Sequence, residues 1–409
     1  MSSKQRGSSA VFAPLTLSEV EERAVIDEAA LIIKCTLVQE TEFRRCGGKP
    51  DRAVWKQVRV EDGLSVYKQR GGPGSLFKSS LSDFQVDSEI SAPELLTSVR
   101  SDDSSRWRQS SFDISNSSSS SSDASDYKVP AMLALGHIDG KLEDVMLGVY
   151  DGDDHAWRVR TALLRDKFEQ AQILAAIRTP TCDSPFNFLG VKWFSIEYPP
   201  VVGSFLLKRD MLIIESLGIA NDENGDKYGY SLLHDFRHPY IPELSDQGIV
   251  RGNINLCFIF RQETPTRVSV YARGFIDGGG EMPKSLGIII ASMSILSNTN
   301  AVETSYARKL AWLVTSQASQ RHRTQEKQAT STSCHSCEKT PLLRGLHGCH
   351  ACGFRFCSKC TVHRKVVLGR QEIAVHSFSF CFACVLQAKE MSPVDVARAT
   401  LVPPTQEGD

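Results

Sequence analysis

Eight of the twelve cysteines fall in four Cys-x-x-Cys pairs: Cys334/Cys337, Cys349/Cys352, Cys357/Cys360 and Cys381/Cys384. A Cys-x-x-Cys turn aims two sulfurs at one ion, and a tetrahedral zinc ion takes four thiolates, so eight ligands imply two Zn2+ ions. Only four residues separate the second pair from the third. So short a link fits an interleaved arrangement, with the first and third pairs on one ion and the second and fourth on the other. A segment of about fifty residues buries little core, and two metal sites supply the missing folding free energy. Disulfides would need an oxidising compartment, and Met1–Pro14 holds no apolar run of signal-peptide length. Structural zinc is the expectation. Cys35, Cys46, Cys182 and Cys257 are scattered through apolar or strand-like contexts and read as inert buried thiols.

No other residue set has the spacing of a catalytic site. His234, Asp235 and His238 cluster in "LLHDFRHPY", but such a group reads as a polar loop, and no Ser/His/Asp or HExxH arrangement is present. Gly278-Gly279-Gly280 lacks the lysine that a phosphate-binding loop requires. The chain is therefore expected to be non-enzymatic. With 409 residues it has room for two or three domains, and 41% hydrophobic and 23% charged residues are ordinary for a soluble protein. A formal net charge of −1 gives no bulk electrostatic case for nucleic acid. The longest apolar stretch, Leu286–Leu296, is too short to span a bilayer. A cytoplasmic location follows as the expectation.

The elements that must position these residues can be read from punctuation and periodicity. Residues 1–14 are small and polar and read as a disordered tail. Thr16 and Ser18 each have a glutamate three residues on (Glu19 and Glu21), which marks a helix start. Trp55–Arg70 alternates around Asp62-Gly63 and reads as a hairpin. Residues 98–126 are dominated by serine and aspartate, with six serines at Ser117–Ser122, and read as a disordered insertion. A strand then leads into a helix near Leu142–Tyr150, and a second helix is expected over Thr161–Ile177. Asn187–Phe275 reads as repeated strands with turns at Asn221–Asp226 and Gln262–Thr266. Pro283–Ser319 reads as a long amphipathic helix. Together these make an α+β domain over 15–318, a linker over 319–332, the cysteine-rich module over 333–388 and a tail over 389–409.

Four strings in 15–318 resemble the START family in their order: "WKQVRVEDGLSVYKQ" (55–69), "LGHIDGKLEDVMLGVYD" (135–151), "FLLKRDMLIIES" (205–216) and "GFIDGGGEMPKSL" (274–286). Arg209-Asp210 stands where that family opens a strand with an Arg-Asp dipeptide. The resemblance implies a helix-grip fold, an antiparallel curved sheet around a long C-terminal helix, enclosing a hydrophobic lipid. The residues alone leave open whether the helix stripe lines a cavity or packs a solid core, and Arg209-Asp210 reads first as a salt bridge fixing a strand edge.

The cysteine frame, with "CGFRFC" (352–357), resembles the FYVE finger, a cross-brace module for membranes bearing phosphatidylinositol 3-phosphate. The resemblance implies endosomal, peripheral membrane attachment. The family's basic string here reads "GLHGCHACG", which leaves Arg344, His347, His350 and Arg355 as a thinner phosphoinositide site, and Leu342 and Leu343 as the membrane-inserting pair. Within 333–388, seven Lys/Arg face two Glu. Two zinc ions on eight thiolates bring that surplus down to about +1. Two functions follow as expectations. One is a lipid-binding protein whose finger meets a membrane. The other is a scaffold whose finger binds a protein partner and whose START-like domain holds no lipid.

Overall fold

The computed structural model describes residues 11–70, 129–164, 168–196, 206–328, 331–341, 345–369 and 373–402. The serine-rich insertion at 98–126 lies outside them. Helix α1 (Glu19–Arg45) opens with Ser18: its hydroxyl accepts from the Glu21 N–H, and the Glu21 carboxylate accepts from the Ser18 N–H at 2.7 Å. The hairpin of β1 (Trp55–Glu61) and β2 (Leu64–Gln69) turns at Asp62 and Gly63, whose φ of 44° and 84° are the left-handed pair a two-residue hairpin needs. Then come β3 (Met132–Asp139), α2 (Leu142–Val149), α3 (Asp154–Leu164), β4 (Phe168–Arg178), β5 (Phe188–Ile196), β6 (Lys208–Asn221), β7 (Lys227–Asp235), β8 (Ile249–Arg251), β9 (Asn253–Thr264) and β10 (Arg267–Asp277).

These strands form one antiparallel sheet in the order β1-β2-β3-β10-β9-β7-β6-β5-β4, with the short β8 parallel to β6. Both faces are covered. Val25, Ala29 and Ile33 of α1 pack on the outer face with Leu189, Val191, Trp193, Leu212 and Ile259. On the inner face, Val66, Phe188, Ile213, Leu256, Phe258 and Phe260 pack against α2 and the C-terminal helices. Double burial explains why β6 and β9 read as nearly continuous apolar runs.

The segment expected as a helix over Thr161–Ile177 is a helix only to Leu164; Phe168–Arg178 is strand β4. Its Ala and Gln residues favour a helix intrinsically, but pairing along β5 overrides that preference. The N-terminal segment helps to hold it. Leu15 N–H donates to the Leu174 carbonyl at 2.8 Å, the Gln172 side chain donates to the Phe12 carbonyl at 2.7 Å, and Phe12 packs edge-on against Trp193. Residues 11–14, read as tail, thus cover the edge of the sheet.

The long C-terminal helix is stepped. Helix α4 (Lys284–Leu296) packs on β1, β2 and β10, a 3-10 turn follows at Ser297–Asn300, and α5 (Ala301–Ser316) lies against α2. A Cβ on Gly148 of α2 would sit 1.8 Å from the Ala301 carbonyl oxygen, so that contact admits only glycine. By length and composition Lys284–Ser316 is long and apolar enough to cross a membrane, a longer span than the Leu286–Leu296 run alone suggests. In this fold it packs against the sheet and α2. The expected linker contains helix α6 (Ala318–Gln328). The finger follows with hairpins β11 (His347–Gly348)/β12 (Arg355–Phe356) and β13 (Thr361–Val367)/β14 (Val375–Cys381), then α7 (Phe382–Glu390). The expected tail forms α8 (Pro393–Thr400), capped by Ser392, and its Val396 and Ala397 join the inner core.

Candidate functional site

Cys334, Cys337, Cys357 and Cys360 form one four-sulfur group, and Cys349, Cys352, Cys381 and Cys384 form the other; within each, all Sγ atoms lie within 4.8 Å of one another. The first pair thus joins the third, and the second joins the fourth. Cys337 and Cys357 sulfurs are 3.8 Å apart, and Cys352 and Cys381 sulfurs are 4.0 Å apart. A disulfide would need about 2.05 Å. A tetrahedron with metal–sulfur bonds of about 2.3 Å has edges of about 3.8 Å. The donor set and its geometry therefore fit a closed thiolate site. Of the scattered cysteines expected as buried thiols, the structure buries Cys257 and leaves Cys46 and Cys182 exposed.

The first two pairs are built alike. Cys334 N–H donates to the Lys339 carbonyl and Glu338 N–H to the Cys334 carbonyl; Cys349 N–H donates to Phe354 and Gly353 N–H to Cys349. The residue after each pair, Glu338 (φ 59°) or Gly353 (φ 81°), must be left-handed to close the turn. In the fourth pair, α7 starts at the second four-sulfur group, where Cys384 N–H points at the Cys381 sulfur at 3.4 Å.

Arg344, Leu342 and Leu343 lie outside the described residues. His347 is half-buried, with Nε2 3.2 Å from the Ser358 hydroxyl and its ring 6.2 Å from that of His363. His350 is held by structure: Nδ1 meets the Ser379 carbonyl at 3.2 Å, and its ring lies 4.6 Å from Phe378. Arg355 reaches the Ser331 carbonyl at 3.4 Å. Leu346 packs on the finger's own core. The structure adds His363, which sequence reasoning missed. Its Nδ1 meets the Ser379 hydroxyl at 3.4 Å because the β13–β14 register sets His363 opposite Ser379.

The finger is fused to the sheet domain through α5. Leu310, Leu313 and Val314 share one core with Phe356, Val366, Phe380 and Ala388. Lys309, fully buried, reaches Asp144 of α2 at 2.6 Å and the Lys389 carbonyl of α7 at 3.3 Å. Arg321 of α6 donates to the Val314 and His350 carbonyls at 3.0 and 2.8 Å. A Cβ on Gly353 would come within 2.6 Å of the Arg321 carbonyl oxygen.

The inner face of the sheet carries a buried charged group among its apolar wall. Lys192 of β5 is 1% exposed and is ion-paired to Asp151 at 2.8 Å and to Glu215 of β6, with Arg160 on the far side of Asp151. Its ammonium lies 4.6 Å from the Trp157 ring and 4.9 Å from that of Phe188. Burial works against the Asp151 anion, but Lys192 and Arg160 hold it down at about 2. Burial, and then the charge of Asp151, push Glu215 up to about 8. The pair thus holds one proton more than two surface carboxylates would near neutrality. Arg209 and Asp210 do not pair with each other. Asp210 binds Arg251 at 2.8 Å and accepts from the Trp193 indole at 2.6 Å, while Arg209 donates to the Leu207, Gly278 and Gly279 carbonyls ahead of α4. His234 and His238 are matched to Glu28 and Glu21 of α1 at 2.9 and 3.4 Å, so both serve to hold that helix.

No protein-family model and no curated protein sequence matches this chain. Solved structures do resemble it. Human StAR-related lipid transfer protein 5 is 16% identical, over 68% of this chain and 97% of its own, with a TM-score of 0.39. The crystal structure of human STARD10 gives 12% identity over 72% and 82%, with a TM-score of 0.35. The human StarD13 lipid transfer and protein localization domain gives 10% over 66% and 95%, with a TM-score of 0.35. Scores of that size carry no assignment.

Proposed function

We propose that this chain is a non-enzymatic lipid-binding protein, with a START-type helix-grip domain that takes one hydrophobic lipid and a FYVE-type finger that holds two structural Zn2+ ions. The observation that supports the lipid reading is the inner face of the sheet. Apolar side chains from β2 to β10 face α2 and α4, and Lys192 with Asp151 and Glu215 supplies a charged spot among them. Lipid sites have this make-up, apolar walls with few placed polar groups. In the finger, Cys334, Cys337, Cys357 and Cys360 would hold one zinc, and Cys349, Cys352, Cys381 and Cys384 the other. Four thiolates on each ion leave no open position for catalysis, so the metal's contribution is to folding. Attachment to an endosomal membrane from the cytoplasm would use His347 with His363 at the finger's hairpins.

The second reading, a scaffold without bound lipid, has its own support. The inner face is packed by the large side chains Phe188, Phe258 and Phe260, all fully buried. Phe382 and Leu386 of α7 are 50% and 57% exposed one turn apart, an apolar pair suited to a protein partner. Native mass spectrometry of the full chain separates the two. Two zinc ions with one co-purified lipid is the expected result. Two zinc ions with no lipid, even after incubation with lipid extract, selects the scaffold; fewer than two zinc ions overturns the finger assignment.

A further inference from the structure

Two cavities open where the finger meets α3 and α5. The first, about 360 Å3, is walled largely by apolar side chains, among them Val159, Ala311, Trp312, Val367 and Leu401. The second, about 430 Å3, is lined by Arg364 and Lys365 of β13, Lys389 of α7 and Tyr306 of α5. Leu163 and Ala307 belong to the walls of both, so the two cavities adjoin there.

The two ends differ in chemistry. In the first, the guanidinium of Arg308 is consumed by the carbonyls of Leu147, Tyr150 and Ala156 at 2.6–2.9 Å, and the Asp153 carboxylate caps α3 through the Ala156 N–H. The Arg308 charge is thus already spent on backbone carbonyls. In the second, Arg364, Lys365 and Lys389 form no ion pair with any described carboxylate, and Lys389 lies 4.9 Å over the Tyr306 ring. One carboxylate, Glu303, stands against these three cations.

We propose that the two adjoining cavities act as one site for an anionic amphiphile, a monoacyl lipid with a phosphate-bearing headgroup, its chain crossing from one to the other over Leu163 and Ala307. The acyl chain lies against Trp312 and Val159, and the phosphate is held by Lys365, Arg364 and Lys389. Pockets of this size suit small ligands, and lysine and arginine side chains at a pocket's rim suit phosphate oxygens. Each domain supplies one wall, so the site exists only with the finger docked. It is separate from the inner face of the sheet and does not depend on a lipid there.

The test uses the full zinc-loaded chain and dodecanoyl lysophosphatidic acid below its micellar concentration. Saturable binding at one site is expected, read by native mass spectrometry and by a change in tryptophan fluorescence. Trp312→Phe should remove the fluorescence change and keep the mass shift. Lysophosphatidylcholine of the same chain length should bind about tenfold or more weakly, as should the lysophosphatidic acid to a Lys365→Glu/Lys389→Glu chain with unchanged melting. Any lipid on the inner face would survive the double substitution, which keeps the two sites distinguishable. Equal affinity for the two lysolipids, indifference to charge reversal, or full displacement by inorganic phosphate would each overturn the proposal.

Discussion

Lys192 sits between two carboxylates in a place water does not reach, and its removal would leave negative charge with no solvent to screen it. Breaking one partner of a buried ion pair typically costs about 3–5 kcal/mol. Lys192→Met is expected to fall in that range by urea unfolding, and the double change Lys192→Met/Asp151→Asn, which removes the stranded anion, should recover part of the loss. The same group sets a pH dependence. Because the folded state raises Glu215 above its unfolded range, folding takes up a proton between about pH 4.5 and about pH 8. Stability from this group is therefore present at low pH and lost as pH rises through about 8. His234, raised by Glu28 and Asp235 against the opposing effect of burial, loses its contribution with rising pH in the same sense. Urea midpoints at pH 5, 6.5 and 8 should decline, and Glu215→Gln should flatten the decline, leaving the part owed to His234. A profile unchanged by Glu215→Gln would refute the shared-proton reading. The cysteines were legible because their spacing is covalent and short. Asp151, Lys192 and Glu215 were not, because they lie on three elements that only the sheet brings together.

At the scale of elements, the same substitution should act in opposite directions at two glycines. Gly148→Ala places a methyl 1.8 Å from the Ala301 carbonyl oxygen and must push α2 away from α5. A cost of about 1–3 kcal/mol, the usual price of overpacking, is expected. Gly287→Ala in α4 meets only the Met282 sulfur at 3.5 Å, an ordinary contact. There the gain in helix propensity, about 0.5–1 kcal/mol, should appear as stabilisation. Guanidinium unfolding of the two variants checks both signs. The elements with local punctuation, α1 after Ser18 and the hairpin at Asp62-Gly63, were readable in advance. Strand β4 was not, because its helix-favouring composition is overruled by β5 and by the Val11–Leu15 segment, both distant in sequence.

For the whole molecule, the docking of the finger would make a metal bound by its two cysteine groups a stabiliser of the sheet domain too. Without metal the finger's core should come apart, baring Leu310, Leu313 and Val314 of α5. Full burial of such a side chain contributes about 1.5–3 kcal/mol, so several kcal/mol of the helix's anchoring is at stake. A finger standing apart from the sheet domain could be lost, as in Cys357→Ser, with 15–318 untouched. Calorimetry with and without a zinc chelator is expected to show one coupled transition that moves down by several degrees on chelation. A sheet-domain transition that keeps its temperature would mean the docking adds nothing. Sequence could not reveal this coupling, since the periodicity of α5 shows which residues are buried and says nothing of which domain buries them. Membrane binding belongs to the same scale. A Cβ on Gly348 meets nothing within 4 Å, so Gly348→His has room beside His347. It should raise binding to liposomes bearing phosphatidylinositol 3-phosphate, measured by sedimentation; weaker binding would place the lipid contact elsewhere on the finger.

The tight approach of Gly353 to Arg321 offers a marker for tracing ancestry. In a chain whose finger hangs on a loose tether, the residue after the second cysteine pair is constrained only by its own turn, and Glu338 shows that a non-glycine can make an equivalent turn. In a chain whose finger is locked to the preceding helix, that residue has no space for a side chain, and a donor must stand at the helix position that reaches the His350 carbonyl. Glycine and arginine should therefore be inherited together at these two positions, and lost together where a lineage has released its finger.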